Sequence, residues 1–280
     1  MHVLKKSVSY LFLALIFIIT IFPIFYTVMG SFKSNAEILT QPGAILPREI
    51  TFDNYITIWN SDNFDLSRMF LNSTYYTVVV VAANIITSAM GGYVFARGEF
   101  PGKKLVFGMF TALMFINLGN IVIVPLLNIA KLVHLQKSLW GLILIRALSV
   151  QIVYIYLVKS YVIALPKELD EAGRIDGCNF AQIFFRIILP LLKPIIATIA
   201  ILAFQATWND YLLPTVFTLN IPDQRTLIVG VVALKSSGTA ASQWNLMLAG
   251  SAISILPVLL VYIFANRYFI AGLSSGAVKG

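Results

Sequence analysis

The sequence predicts an all-α polytopic membrane protein with six transmembrane helices, and three observations support that class. Hydrophobic residues make up 59% of the 280 residues, and the mean hydropathy is +0.85. Charged residues make up only 11%, whereas a soluble domain carries roughly 25%. Six stretches are long enough to cross a bilayer, which takes roughly 20 apolar residues. An ordinary soluble enzyme, a disordered chain and a nucleic-acid binder are therefore excluded.

The first predicted span, 10–29, lies inside an uncharged run from Ser7 to Phe32. A cleaved signal peptide is the alternative, because Lys5 and Lys6 precede the run. The run is too long for the apolar region of a signal peptide, and no small-residue cleavage site ends it. We therefore expect a retained helix.

Charged residues separate the remaining apolar stretches, although Arg146 interrupts the fourth span and Asp210 closes the fifth. Spans two to six are predicted at about 72–95, 105–127, 138–158, 194–211 and 246–265. The segments outside the spans are an external loop over 32–69, a loop over 160–193 and a cytoplasmic tail over 269–280. We expect a single transmembrane domain over 1–280.

The distribution of Lys and Arg predicts the orientation. Twelve of these bases lie on the side that holds both termini, and seven lie on the other side. Cytoplasmic loops carry the excess of Lys and Arg. Both termini are therefore expected in the cytoplasm, and the formal net charge of +8 requires no nucleic-acid partner.

The sequence lacks the residues that several kinds of protein chemistry require. One cysteine, Cys178, excludes a disulfide framework. With only His2 and His134 besides, no metal site is credible. Both histidines lie outside the predicted spans, so an intramembrane enzyme lacks its catalytic constellation. No GxxxxGK[ST] motif is present, so any ATP must bind another chain.

The loop over 160–193 contains the most informative local pattern. Gly177 is a natural helix end, and Asn179 followed by Gln182 is typical of a capping box. Two short helices around Gly177 are therefore predicted. Glu171 beside the small residues Ala172 and Gly173 favours a face on which another protein docks. A solvated hairpin or a helix lying on lipid headgroups is the alternative.

In the loop over 160–193, the chain resembles the permease subunits of ATP-binding-cassette importers. Their motif is Glu-Ala-Ala, three residues, Gly, nine residues, Ile, one residue and Leu-Pro, and this chain matches it except that Gly173 replaces the second Ala. A narrower resemblance, to carbohydrate permeases of the MalG type, covers nearly the whole chain. The narrower resemblance rests on Leu165–Leu169, Trp208–Pro214 and Gly272–Gly280.

The resemblance implies a non-catalytic subunit in a bacterial-type plasma membrane, where it forms half of a pathway for a sugar or oligosaccharide. It implies a second, different permease, two cytoplasmic ATPase subunits that hold ATP and Mg²⁺, and an external solute-binding protein. No cofactor is expected on this chain itself. The loop over 160–193 becomes a coupling loop, whose ATPase-coupling residues are Glu171, Ala172, Gly173, Asp176 and Gly177.

Polar residues inside spans are expensive and tend to face the bundle interior. The face formed by Asn84, Ser88 and Gly91 favours helix packing. Arg146 is expected to pair with Asp210 or to bond carbonyl groups, with snorkelling to the surface as the alternative. Candidates for lining the translocation pathway, with packing as the alternative, are Asn117, Asn120, Arg146, Gln205, Trp208, Asn209 and Asp210.

Two further features leave alternatives open. The run from Asn54 to Trp59 in the external loop is either a short helix or an ordinary structured loop. The solute could be other than a sugar, and an ion-coupled secondary carrier is the less favoured class. Such a carrier needs buried carboxylates for ion coupling, and the spans contain almost none.

Overall fold

The computed structural model describes residues 2–60, 64–116, 119–234 and 243–277, and every regular element in those ranges is helical. The all-α prediction is therefore confirmed. A π-helix, Phe184–Ile188, and two 3₁₀ turns, Gly119–Val122 and Pro222–Gln224, accompany the α-helices. In chain order, helices α1 to α15 are His2–Gly30, Asn35–Thr40, Asp53–Trp59, Leu66–Arg97, Lys103–Leu113, Ile123–Leu132, Leu139–Leu148, Ile152–Ala164, Glu168–Ile175, Phe180–Ile183, Leu189–Leu191, Lys193–Trp208, Leu212–Thr218, Leu227–Ala233 and Trp244–Ala277.

Four helical segments within the described ranges are long and apolar enough to cross a membrane. They coincide with the first, second, fourth and sixth predicted spans. A fifth span results if the two helical segments Phe180–Leu191 and Lys193–Trp208, which are bent by 76° at Leu192, count as one. The four segments are Ser9–Gly30, Leu66–Arg97, Leu139–Ala164 and Trp244–Ala265.

The structure differs from the prediction at the third, fourth and fifth spans. In the fourth, an extended backbone at Ser149 separates α7 from α8. The stretch 105–127 is not one helix, because α5 ends at Leu113 and Gly119 adopts a φ of 52°. A right-handed helix cannot continue through such a residue. The fifth stretch begins at a bend, because Pro194 has no N–H to donate to the carbonyl group of Pro190.

The chain divides into two compact units, and the first comprises Met1–Leu71 and Leu219–Pro257. Its polar centre is Asn54, which begins the predicted 54–59 segment and lies buried in α3. The Asn54 amide donates to the carbonyl groups of Ser31 at 2.7 Å and Lys33 at 2.8 Å. Its oxygen accepts from Asn245 at 2.6 Å. Because α3 runs from Asp53 to Trp59, the helical alternative for 54–59 is confirmed.

The second unit comprises Asn72–Thr218 and Val258–Gly280, and two buried clusters form its core. One joins α4, α8 and the helices from Phe180 onward, and the other joins α4, α6, α7 and α13. Gly92 allows α4 and α8 to approach closely, because a Cβ there would lie 2.5 Å from the Cβ of Val158. Asn84 and Ser88 are buried in this unit, which supports packing as the role of that face.

Candidate coupling and pathway sites

The coupling loop forms a helix with defined ends. Helix α9 begins with three acidic residues in its first turn, where negative charge is favoured by the helix dipole. The helix ends as the sequence predicts, since Gly177 has a φ of 78°. The N–H of Gly177 donates to the carbonyl of Arg174 at 3.0 Å, and that of Cys178 to the carbonyl of Gly173 at 2.9 Å. These two bonds form a Schellman motif.

The capping box that follows is also confirmed. The side chain of Asn179 accepts from the N–H of Gln182 at 2.9 Å, and the side chain of Gln182 accepts from the N–H of Asn179 at 2.8 Å. Helix α10, the π-helix and α11 continue from this cap. We call Glu168–Leu191 the coupling hairpin.

One face of α9 is exposed and the other is buried against the rest of the hairpin. Glu171, Ala172, Asp176 and Gly177 are exposed. The expectation that Gly173 belongs to this exposed face is wrong, because Gly173 is buried. A Cβ on Gly173 would lie 2.8 Å from Cδ1 of Ile187 and 3.1 Å from Cγ1 of Ile183. Its missing side chain therefore permits close packing within the hairpin.

Two features of α9 were not evident from the sequence. Ile175 exposes 86% of its surface beside the four exposed residues, which adds an apolar side chain to a charged face. On the opposite side, Asp170 is buried, accepts from the hydroxyl of Tyr93 at 3.2 Å and pairs with Arg97. Only the alternation of apolar and acidic residues in α9 could have suggested that one acid turns inward.

The expected pair of Arg146 and Asp210 is confirmed. The Nε and Nη2 atoms of Arg146 both donate to Oδ2 of Asp210, the former at 3.1 Å. The hydroxyl of Tyr76, whose role was not evident from the sequence, donates to the same oxygen at 3.0 Å. The side chains of Asp210 and Arg146 are 9% and 33% exposed. A carboxylate so withdrawn from water needs a nearby positive charge, which the guanidinium provides.

The other pathway candidates do not form one cluster. Gln205 and Asn209 are exposed near the end of α12, where the Asn209 amide donates to the Gln205 carbonyl at 3.0 Å. Trp208 is buried and stacks on Phe204 with ring centroids 5.6 Å apart. Asn120 is exposed in the turn Gly119–Val122. Asn117 lies outside the described residues.

Several apolar candidate spans, a partly buried ion pair and an ordered hairpin with an exposed face are together typical of a multi-pass transport protein. The family model described as "Binding-protein-dependent transport system inner membrane component" matches residues 88–274. The chain therefore belongs to this family. It is a non-catalytic permease subunit of an ABC transporter, for which separate ATPase and binding-protein partners are implied.

Relatives cover almost the whole chain. The inner membrane ABC transporter permease protein YcjP of Escherichia coli (strain K12) is 34% identical, and the alignment covers 99% of both chains. The arabinooligosaccharides transport system permease protein AraQ of Halalkalibacterium halodurans is 33% identical over 95% of this chain and 94% of that relative. The galactooligosaccharides transport system permease protein GanQ of Bacillus subtilis (strain 168) is 30% identical, over 97% and 95%.

A solved structure has the same fold. It is a chain of a bacterial ABC transporter involved in the import of the acidic polysaccharide alginate. The superposition has a TM-score of 0.81 at 24% sequence identity and covers 95% of this chain and 96% of that one.

Removing one partner of the Arg146–Asp210 pair should destabilise the protein. We expect Arg146→Ala to lower the thermal midpoint of the detergent-solubilised protein by roughly 2–10 °C, because it leaves the carboxylate without its counter-charge. Differential scanning fluorimetry measures the change. The double variant Arg146→Ala/Asp210→Ala should lose less than the sum of the two single variants.

The matched control is the exposed ion pair of Arg68 and Asp223, whose charged atoms are 3.1 Å apart and whose side chains are 55% and 69% exposed. Exposed pairs contribute about 0–1 kcal/mol, so Asp223→Ala should change the midpoint little. A loss in Arg146→Ala no larger than that in Asp223→Ala would contradict a stabilising role for the buried pair.

Proposed function

We propose that this chain is the permease subunit of an ATP-driven importer and forms half of the pathway for a sugar or oligosaccharide delivered by an external binding protein. The observation that carries the proposal is the family membership over residues 88–274. Relatives that match almost end to end are named for arabinooligosaccharide and galactooligosaccharide transport, which supports the carbohydrate class.

The exposed face of α9 is suited to contact an ATPase subunit. Glu171 and Asp176 offer negative charge, Ile175 offers an apolar side chain, and Ala172 keeps the surface shallow. Charge complementarity gives specificity, and a desolvated apolar group contributes affinity. Two ATPase subunits hold ATP and Mg²⁺ in this proposal, and one of them receives the coupling hairpin. Closure of the ATPase pair changes the contacts of the hairpin and so biases the pathway.

We further infer six spans with both termini in the cytoplasm. Helices α5 and α6 together form the third span, and α12 forms the fifth. The hairpin then lies at the cytoplasmic surface, as the excess of Lys and Arg supports. A second, different permease forms the other half of the pathway, and lipid covers the remaining apolar faces. The whole chain acts as one permease domain, with a cytoplasmic tail over 269–280.

Within the pathway, amide and aromatic groups suit a sugar. Gln205 lines a groove in the second unit together with Phe204 and Tyr262. Amide groups can bond sugar hydroxyls, and aromatic faces can cover the apolar side of the ring. Asn209 lies next along the exposed end of α12. Asn117, Asn120, Trp208 and the Arg146–Asp210 pair remain candidates for the same pathway.

Two other functions are less well supported. A permease for a non-sugar solute would share this fold, since the fold does not define the solute. An ion-coupled carrier needs a carboxylate that is free to bind an ion. Among the described residues, the buried aspartates Asp170 and Asp210 are each paired with an arginine, which favours coupling through ATP.

Uptake by the reconstituted complex tests the function. The binding protein's ligand is first identified by calorimetry, and the complex is then placed in liposomes with ATP inside. We expect uptake that stops when the ATPase is withheld, because the sequence of this chain lacks the GxxxxGK[ST] motif. Glu171→Arg should reduce uptake at least about tenfold, because it reverses the charge of the proposed contact. Glu49→Arg, an exposed change in the predicted external loop, is the control. Uptake driven by an ion gradient without ATPase would overturn the proposal.

The single cysteine tests the orientation. Cys178 lies at the end of α9 and is half-buried, which leaves part of it accessible to a reagent. Because the proposed topology places this loop in the cytoplasm, a membrane-impermeant maleimide should label Cys178 only in permeabilised cells or inverted vesicles. The matched control combines Cys178→Ser with Glu49→Cys, which should be labelled in intact cells. The opposite pattern of labelling would reverse the proposed topology.

A further inference from the structure

The geometry points to a fastening between α4 and the coupling hairpin: Arg97 and Tyr93 of α4 hold Asp170 of α9, so that α4 and the hairpin move as one body. Helix α4 then carries ATPase-driven motion to the buried pair of Arg146 and Asp210. The inference rests on the proposed function, because only an ATPase partner makes the hairpin a moving part. Asp170 is a positioning residue in this account.

The charged contact is withdrawn from water. The Nε of Arg97 and Oδ2 of Asp170 are 3.0 Å apart, and the two side chains are 8% and 10% exposed. The Nε–H is not aligned for a hydrogen bond, so the contact is electrostatic. Buried opposite charges attract strongly, and removal of one leaves the other without compensation. Separation of α4 from α9 is therefore costly.

Arg97 also holds the chain that enters α9. Its Nη2 donates to the carbonyl of Leu165 at 2.7 Å, and Leu165 caps the end of α8. The guanidinium therefore joins α4, the end of α8 and the first turn of α9. Its planar group of several donors suits such a junction, which a lysine ammonium could not reproduce.

Tyr93 attaches the second half of the hairpin. Its hydroxyl donates to Oδ1 of Asp170 at 3.2 Å. Its ring packs against Phe180 and Phe184, with centroids 4.6 Å and 5.2 Å away. Tyr93 is 2% exposed. Helix α9 and the segment that begins at Phe180 thus both contact the last two turns of α4.

Two neighbouring acidic residues in α9 have different roles: one contacts α4, and the other is available to a partner protein. Asp170 is buried toward Arg97, whereas Glu171 is exposed. Successive residues on a helix point about 100° apart, so one acid is available to α4 and the next to a partner. A force applied at the exposed face is thereby delivered to α4 through a contact on the other side of the same short helix.

The other end of this segment of α4 reaches the intramembrane ion pair. Tyr76 lies 17 residues before Tyr93, which is about 25 Å along a helix at 1.5 Å per residue. The helix is continuous between them and contains no proline. Because the hydroxyl of Tyr76 donates to Asp210, movement of α4 along its axis acts directly on the pair of Asp210 and Arg146.

Spin labels on the assembled complex test the shared motion. In a Cys178→Ser background, one label replaces exposed Arg186 in the π-helix of the hairpin, and the other replaces exposed Val94 on α4. Pulsed electron paramagnetic resonance then measures the distance without nucleotide and with a non-hydrolysable ATP analogue. We expect the same distance in both states, and a distance that changes with nucleotide once Asp170→Asn is added. A distance that changes in the otherwise unaltered complex would overturn the proposal.

The stimulation of ATP hydrolysis by the loaded binding protein measures how well the ATPase and the pathway are coupled. Asp170→Asn and Arg97→Gln should each lower the stimulation of ATP hydrolysis by the loaded binding protein about tenfold. Because the two residues act as one unit, the double variant should lose no more than either single variant. Arg186→Gln removes an exposed charge from the part of the hairpin that lies outside α9 and should leave stimulation unchanged. Wild-type stimulation in Asp170→Asn, or losses that multiply in the double variant, would overturn the proposal.

Two controls separate this inference from other failures. Co-purification with the ATPase subunits shows whether each variant still folds and assembles. If Asp170→Asn does not, Tyr93→Phe tests the same contact, because it keeps the ring and removes only the hydroxyl; it should lower stimulation as well, and unchanged stimulation would count against the fastening. Absence of ATP-dependent uptake in the wild type would refute the proposed function, whereas normal uptake and coupling in every variant would refute the fastening alone.

Discussion

A charge can lie in the apolar interior of a helical bundle only where an opposite charge neutralises it. Among the described residues of the second unit, this constraint is met twice with the same three residue types. Asp210 is bound by Arg146 and Tyr76, and Asp170 is bound by Arg97 and Tyr93. Both tyrosines lie on α4. The helix therefore contributes to both ion-pair clusters, and the positions of α7, α9 and the segment after α12 depend on it.

Local signals in the sequence predicted local structure well. Gly177 ended α9 and Asn179 capped α10 because each effect depends on residues within one helical turn. Arg146 and Asp210 could be paired in advance because they are rare charges within or at the ends of spans, and their cost demands a partner. The relation of Asp170 to Arg97 could not be predicted, because an acid in a loop is usually solvated and then needs no partner.

Hydropathy located the apolar candidate spans but not the continuity of their helices. It is summed over a window, so it does not register the backbone conformation of one residue. Gly119 and Pro194 change the helix at single positions, and the third and fifth predicted spans differ from the structure there. Gly173 illustrates the same limit for side chains. Its small size was correctly noted, but only the packing of Ile183 and Ile187 shows that it faces inward.

The central claim is that the exposed face of α9 is where an ATPase drives this permease. The most direct test places a photoreactive amino acid at Ile175, which exposes 86% of its surface, and another at Ile50 in the predicted external loop, which exposes 70%. Illumination of the assembled complex should join Ile175, and not Ile50, to the ATPase subunit. Attachment of the ATPase at neither position, or at Ile50 alone, would contradict the claim.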